Sequence, residues 1–98
     1  MKAGALTKRR VVVAMDAFVE VVVWRLPVPL APSTHRFKCR LACVVRGECV
    51  VLYDSERGKG DHRHFGGRET PYRFISPERL VADFDSDRER GNRENRRS

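Results

Sequence analysis

From Arg36 to Val45 the chain alternates with a period of two. Phe37, Cys39, Leu41, Cys43 and Val45 fall on one side, and Arg36, Lys38, Arg40, Ala42 and Val44 on the other. This is the pattern of a half-buried antiparallel strand whose second face opens on three basic residues. Arg46-Gly47 reads as a two-residue hairpin turn and Glu48–Tyr53 as the return strand. A hairpin with one apolar face needs partner strands and a covering layer.

The rest of the chain offers both. Lys8-Arg9-Arg10 with Val11–Ala14 reads as a first strand, Met15-Asp16-Ala17 as a turn, and Phe18–Leu26, dense in Val, as a second strand. Pro27, Pro29 and Pro32 cannot donate to a ladder, so Leu26–Pro32 is a partly extended connector. Asp54–Gly60 reads as a loop, His62–Phe65 as a short strand ended by Gly66-Gly67, and Pro71–Ile75 as an edge strand. Ser76 is suited to a helix N-cap, Pro77 to the first helical position and Glu78 to the positive end of the dipole. Ile75 and Leu80 stand at the spacing of a hydrophobic staple, and Leu80, Val81 and Phe84 form a narrow apolar stripe. The expected fold is α+β: an antiparallel sheet of about five or six strands with one C-terminal helix packed on one face. Residues 1–87 form the single domain, and residues 88–98, a basic stretch without an apolar side chain, are expected to fray or stay disordered.

At 98 residues there is room for one domain. A chain of this size buries roughly 60–65% of its unfolded surface, which leaves a thin core. Twenty Lys and Arg against thirteen Asp and Glu give a net charge of +7 and a pI near 10.0. That excess favours a polyanionic partner, RNA ahead of DNA. No stretch approaches the roughly 18 apolar residues of a spanning helix, and Met1–Arg10 lacks the apolar core of a signal peptide, so a cytoplasmic protein with no membrane partner is expected. The cysteines number three, an odd count against a disulfide framework. Cys39 and Cys43 would lie about 13 Å apart along one strand, too far for a disulfide or a shared metal. With Val44 facing Cys49 across the turn, Cys49 points to the opposite side from Cys43. All three read as small reduced core residues.

The chemistry concentrates in Asp54–Tyr72, DSERGKGDHRHFGGRETPY, which packs two His, three Arg, one Lys, two Asp and two Glu into nineteen positions. Four readings compete. In acid–base cleavage of RNA, His62 and His64 share one side of a strand, about 7 Å apart, and serve a phosphate as base and acid. Lys59, Arg57 and Arg63 would neutralise the developing charge, and Asp61 or Asp54 would orient a histidine. Gly58 and Gly60 would let backbone amides approach a phosphate. In the metal reading, His62 and His64 are joined by Asp54, Asp61, Glu56 or His35. In the binding reading, Arg57, Lys59 and Arg63 meet phosphates and Tyr72 or Phe65 stacks on bases. In the structural reading, His62 pairs with Asp61 or Asp54 and pins a loop. Arg36, Lys38 and Arg40 are a solvated sheet face or a nucleic-acid track, and Trp24 reads as core. The first reading is preferred, so no metal and no cofactor is expected.

Tyr53-Asp54, Glu56, the run Gly58-Lys59-Gly60-Asp61-His62-Arg63-His64, Gly67, Glu69, Pro71-Tyr72 and Phe74 resemble the TumE family, small toxins of bacterial toxin–antitoxin modules. Trp24-Arg25-Leu26-Pro27, His35, Leu80 and Asp83-Phe84 fit the same pattern, and the likeness extends from about Val11 to Asp87. Ser55 and Ala17 depart from it, where the family has Asn and Gly. The resemblance implies a toxin encoded beside a helix-turn-helix antitoxin that neutralises it by direct binding. A ribonuclease acting without metal is the leading expectation. A non-catalytic RNA- or protein-binding module and a metal-dependent hydrolase are the alternatives.

Overall fold

Consecutive strands pair with one another throughout the chain. A computed structural model describes residues 4–56 and 58–95. Six strands, β1 (Gly4–Ala14), β2 (Ala17–Arg25), β3 (Phe37–Val45), β4 (Glu48–Glu56), β5 (Gly60–Phe65) and β6 (Arg68–Pro71), form one antiparallel sheet in the order β1-β2-β3-β4-β5-β6. A single helix, α1 (Pro77–Asn95), follows. The α+β architecture read from the sequence is the one observed.

The β3–β4 hairpin turns at Arg46-Gly47 and pairs Val45 with Glu48 and Val44 with Cys49, the expected register. The register shifts between Cys43 and Val44, and this β-bulge leaves Val50 without a Cα partner. Arg46 reaches to the neighbouring β1–β2 turn, where its amide donates to the Asp16 carbonyl at 2.8 Å and its Nε to the Asp16 carboxylate at 3.1 Å.

The core lies between the sheet and α1. Val19, Val23, Cys39, Leu41, Cys43, Val51 and Tyr53 meet Leu80 and Phe84 of the helix. The alternation of β3 thus places Cys39, Leu41 and Cys43 in the core, with Phe37 and Val45 packed at its margin. Ser76 caps the helix as its composition suggests: its hydroxyl accepts the Arg79 amide at 3.1 Å.

Several expectations need correction. Cys49 is exposed rather than core, because it faces away from α1, beside Val44 on the uncovered side of the sheet. Ile75 is 64% exposed and makes no staple. The last strand is Arg68–Pro71 rather than Pro71–Ile75, since the two-residue Gly66-Gly67 turn forces Phe65 to pair with Arg68 and His62 with Pro71. β4 continues past Tyr53 to Glu56, so Asp54 and Ser55 are strand residues and not loop. The helix continues through residues 88–95, where a frayed helix or a disordered tail was expected. Its second half is held by polar contacts in place of an apolar stripe. Buried Asp87 accepts the Tyr53 hydroxyl at 2.5 Å, and the Arg90 guanidinium lies 4.6 Å from the centre of the Phe65 ring. Residues 96–98 lie outside the described residues. No described helix is long and apolar enough to cross a membrane.

Burial sets the reactivity of the three thiols. It pushes the Cys39 thiol up to about 12 and raises Cys43 as well, whereas Cys49 is open to reagent although its thiol too is raised by desolvation. A thiol-specific disulfide reagent at pH 8 is therefore expected to modify one cysteine in the folded protein and all three after denaturation. Rapid modification of all three in the native state would contradict the buried placement of Cys39 and Cys43.

Candidate functional site

Strand alternation divides the residues of β5 between two environments. Asp61, Arg63 and Phe65 share the side of the sheet that α1 covers, and His62 and His64 share the other. Register extends that uncovered side into two rows across the strands. One row runs Lys8, Val22, Arg40, Asp54, His62, Pro71, and the next runs Arg10, Glu20, Ala42, Leu52, His64, Glu69. Directly opposed residues in such rows have Cβ atoms about 5 Å apart. Asp54 therefore stands beside His62, and Glu69 beside His64.

The two imidazoles lie closer than the strand repeat alone requires. Their ring centres are 5.3 Å apart, edge to face at 74°. His62 is buried, and its Nδ1 stands 3.3 Å from the Gly60 carbonyl. A proton on Nδ1 donates there and leaves Nε2 with its lone pair. His64 is more open, with 41% of its side chain exposed, and its Nε2 stands 3.5 Å from Glu69 Oε2. Lys59 pairs with the same Glu69 carboxylate, which holds the ammonium above its ordinary value and Glu69 below its own. Gly60 is held at φ +81°, a conformation strained for any side chain, and a Cβ there would press on Pro32 Cγ at 3.3 Å. The ligand atoms of His62, His64 and Glu69 all lie within 4.8 Å of one another, a grouping able to hold a metal ion. The third donor is Glu69, across the β5–β6 turn, and not Asp54, Asp61, Glu56 or His35.

Asp61 serves a different task. Its carboxylate accepts the Ser33 hydroxyl at 3.1 Å and the Ser55 hydroxyl at 2.8 Å, and lies 2.7 Å from His35 Nε2. The Phe37 amide donates to His35 Nδ1 at 3.1 Å, so the His35 proton is on Nε2 and points at Asp61. The His35 ring stacks on Phe74 with centres 3.8 Å apart. The histidine that Asp61 orients is His35, not His62 or His64. Ser55 also accepts the Cys39 amide at 3.2 Å, which ties β3 into the same network.

Arg63 and Tyr72 are likewise on the helix side. Arg63 Nε stands 2.9 Å from Asp87 as an ion pair. Tyr72 donates to Asp83 at 2.6 Å and meets Tyr53 edge to face at 4.9 Å. Desolvation, then the acceptor carboxylates, push both phenols well above their ordinary range. Neither Arg63 nor Tyr72 lies with the histidine pair. Phe65 also lies on the helix side, with the Arg90 guanidinium over its ring. Arg36 is exposed just ahead of β3. Arg57 lies outside the described residues.

Lys38 and Arg40 do reach the histidine side of the sheet. With Val22, Trp24, Leu30 and Asp54 they line a cavity of about 550 Å³. Arg40 approaches Asp54 at 3.7 Å. Trp24, read from the sequence as core, is half-buried on this uncovered side and opposite Lys38. Glu69 and Trp24 are the residues that sequence reasoning left out of the site. Glu69 was recoverable, since a two-residue turn at Gly66-Gly67 brings it opposite His64. Trp24 was not, because its register with β3 is set across a long connector.

A family model described as Toxin TumE matches residues 2–91. Comparison with curated proteins gives no match, and comparison with solved structures gives none.

The contrast between the two aspartates is measurable. Asp61→Asn sets an amide group against three donors and is expected to cost about 2–3 kcal/mol in urea unfolding. Asp54→Asn, which loses only a loose surface pair, is expected to stay within about 0.5 kcal/mol of wild type. Equal effects would contradict the network assigned to Asp61.

Proposed function

The chain belongs to the TumE toxin family and is thus the toxin of a toxin–antitoxin module; we propose that it acts on RNA and cleaves it by acid–base chemistry at His62 and His64. The observation that carries this reading is the pair of imidazoles 5.3 Å apart on the uncovered face, with cationic side chains around them. One imidazole takes the proton of a ribose 2′-hydroxyl as that oxygen attacks the adjacent phosphorus. The other gives a proton to the departing 5′-oxygen. The products are a 2′,3′-cyclic phosphate and a free 5′-hydroxyl. Lys59 lies at the edge of the pair and, on release from Glu69, neutralises charge on the phosphate. Lys38 and Arg40 would hold the flanking backbone. The antitoxin, proposed to be of the helix-turn-helix type, would neutralise the toxin by direct contact.

A second reading is favoured by one observation, the grouping of His62, His64 and Glu69. His62, His64 and Glu69 would hold a divalent ion, which would supply Lewis-acid activation of water and make the protein a metal-dependent hydrolase.

Induced expression in a bacterial host separates these readings. Wild type is expected to arrest growth and to generate new RNA fragments. His62→Ala and His64→Ala are each expected to abolish both, with cleavage by the purified protein slowed about 10²–10⁴-fold. Cleavage that persists in chelator supports the acid–base mechanism, and cleavage that chelator abolishes supports the metal. Arrest with intact RNA contradicts cleavage altogether.

A further inference from the structure

The cavity beside the histidines has a use that the cleavage step does not require. Its volume of about 550 Å³ lies within the range of small-molecule sites, about 300–1,000 Å³. Trp24, Val22 and Leu30 supply apolar wall, Lys38 and Arg40 supply positive charge, and Asp54 and Glu56 supply carboxylates. Asp54 is also the cross-strand neighbour of His62, so the cavity and the candidate site share a wall. An aromatic ring among cations, one strand from a candidate phosphate site, is the arrangement that single-stranded nucleic acid requires: base on the ring, backbone on the charges.

We propose that this cavity is a nucleobase site that takes an unpaired base next to the scissile phosphate and prefers guanine. The inference rests on the RNA reading above. Trp24 provides the stacking surface. The preference comes from Asp54, whose carboxylate is 23% exposed and whose nearest cation among the described residues, Arg40, stands at 3.7 Å, beyond hydrogen-bond range. Guanine presents two adjacent donors, the N1–H and the exocyclic amino group. A carboxylate accepts both at once, as it accepts the two arms of a guanidinium. Adenine and cytosine set one amino donor beside a ring-nitrogen acceptor, which repels a carboxylate. Uracil sets one donor between two carbonyl oxygens. Lys38 and Arg40 then hold the phosphate that follows the base, toward His62.

Trp24 is the single tryptophan of the chain, so its fluorescence reads the cavity directly. The test titrates the full-length protein with the 3′-monophosphates of guanosine, inosine, adenosine, cytidine and uridine. Guanosine 3′-monophosphate is expected to quench Trp24 saturably and to bind at least about tenfold more tightly than the adenosine, cytidine and uridine compounds. Inosine, which lacks the exocyclic amino group, is expected to fall between. Asp54→Asn is expected to remove the preference for guanosine while leaving the emission of the free protein unchanged. Equal quenching by all five nucleotides, or none by any, overturns the base site, and if the protein still cleaves RNA the nuclease reading survives it. Guanosine-selective quenching in a protein that cuts no RNA supports the base site and removes the nuclease.

Discussion

Three hydrogen bonds converge on Asp61, from Ser33, Ser55 and His35, and they bring together parts of the chain far apart in sequence. Ser33 and His35 belong to the connector between β2 and β3, Ser55 to β4 and Asp61 to β5. The same connector is gripped a second time, where the Gly58 amide donates to the Ala31 carbonyl at 2.8 Å and Gly60 packs on Pro32. A carboxylate with this much exposure withdrawn from it is costly unless its acceptors are filled. Here they are, and the connector is fixed as a result. Leu30, one wall of the cavity beside the histidines, sits on that fixed segment. Thus the Asp in the middle of the most distinctive stretch of the sequence builds the surroundings of the site.

The second constraint is that one helix covers only one side of a six-stranded sheet. Tyr53 and Arg63 reach Asp87, and Tyr72 reaches Asp83, so the helix is anchored by carboxylates as well as by Leu80 and Phe84. These anchors consume Arg63 and Tyr72. The opposite side keeps its two rows of paired residues, and there the charges of Lys38, Arg40 and Lys59 and the imidazoles of His62 and His64 lie in one neighbourhood. Division of labour between the two sides follows from the period of two: in the Asp61-His62-Arg63-His64 run, alternate residues build the fold and line the candidate site.

Much of this is legible in the sequence because it is local. The alternation of β3, the turn at Arg46-Gly47, the cap at Ser76 and the shared side of His62 and His64 each follow from a few consecutive residues. What is not legible depends on contacts between distant segments. Nothing near Asp61 in sequence announces Ser33 or His35 as its partners. The helix beyond Asp87 carries no apolar signal; Tyr53 and Arg63 of the sheet hold Asp87 itself, and Phe65 meets Arg90 one turn further on. Trp24 shares its side of β2 with Val22 and looks like core until the position of the single helix is known. Cys49 has the same ambiguity, and it too lies on the uncovered side.

The central claim is that the uncovered face meets RNA while the helix-covered face does not. Its most direct measurement is amide chemical-shift mapping of the isotope-labelled protein with a short single-stranded RNA. Methylation of every 2′-hydroxyl of that RNA prevents cleavage. The expected shifts cluster at Trp24, Lys38, Arg40, Asp54, His62 and His64. Shifts confined to the side of Arg63, Arg79 and Arg88, or no shifts at all, would contradict the account.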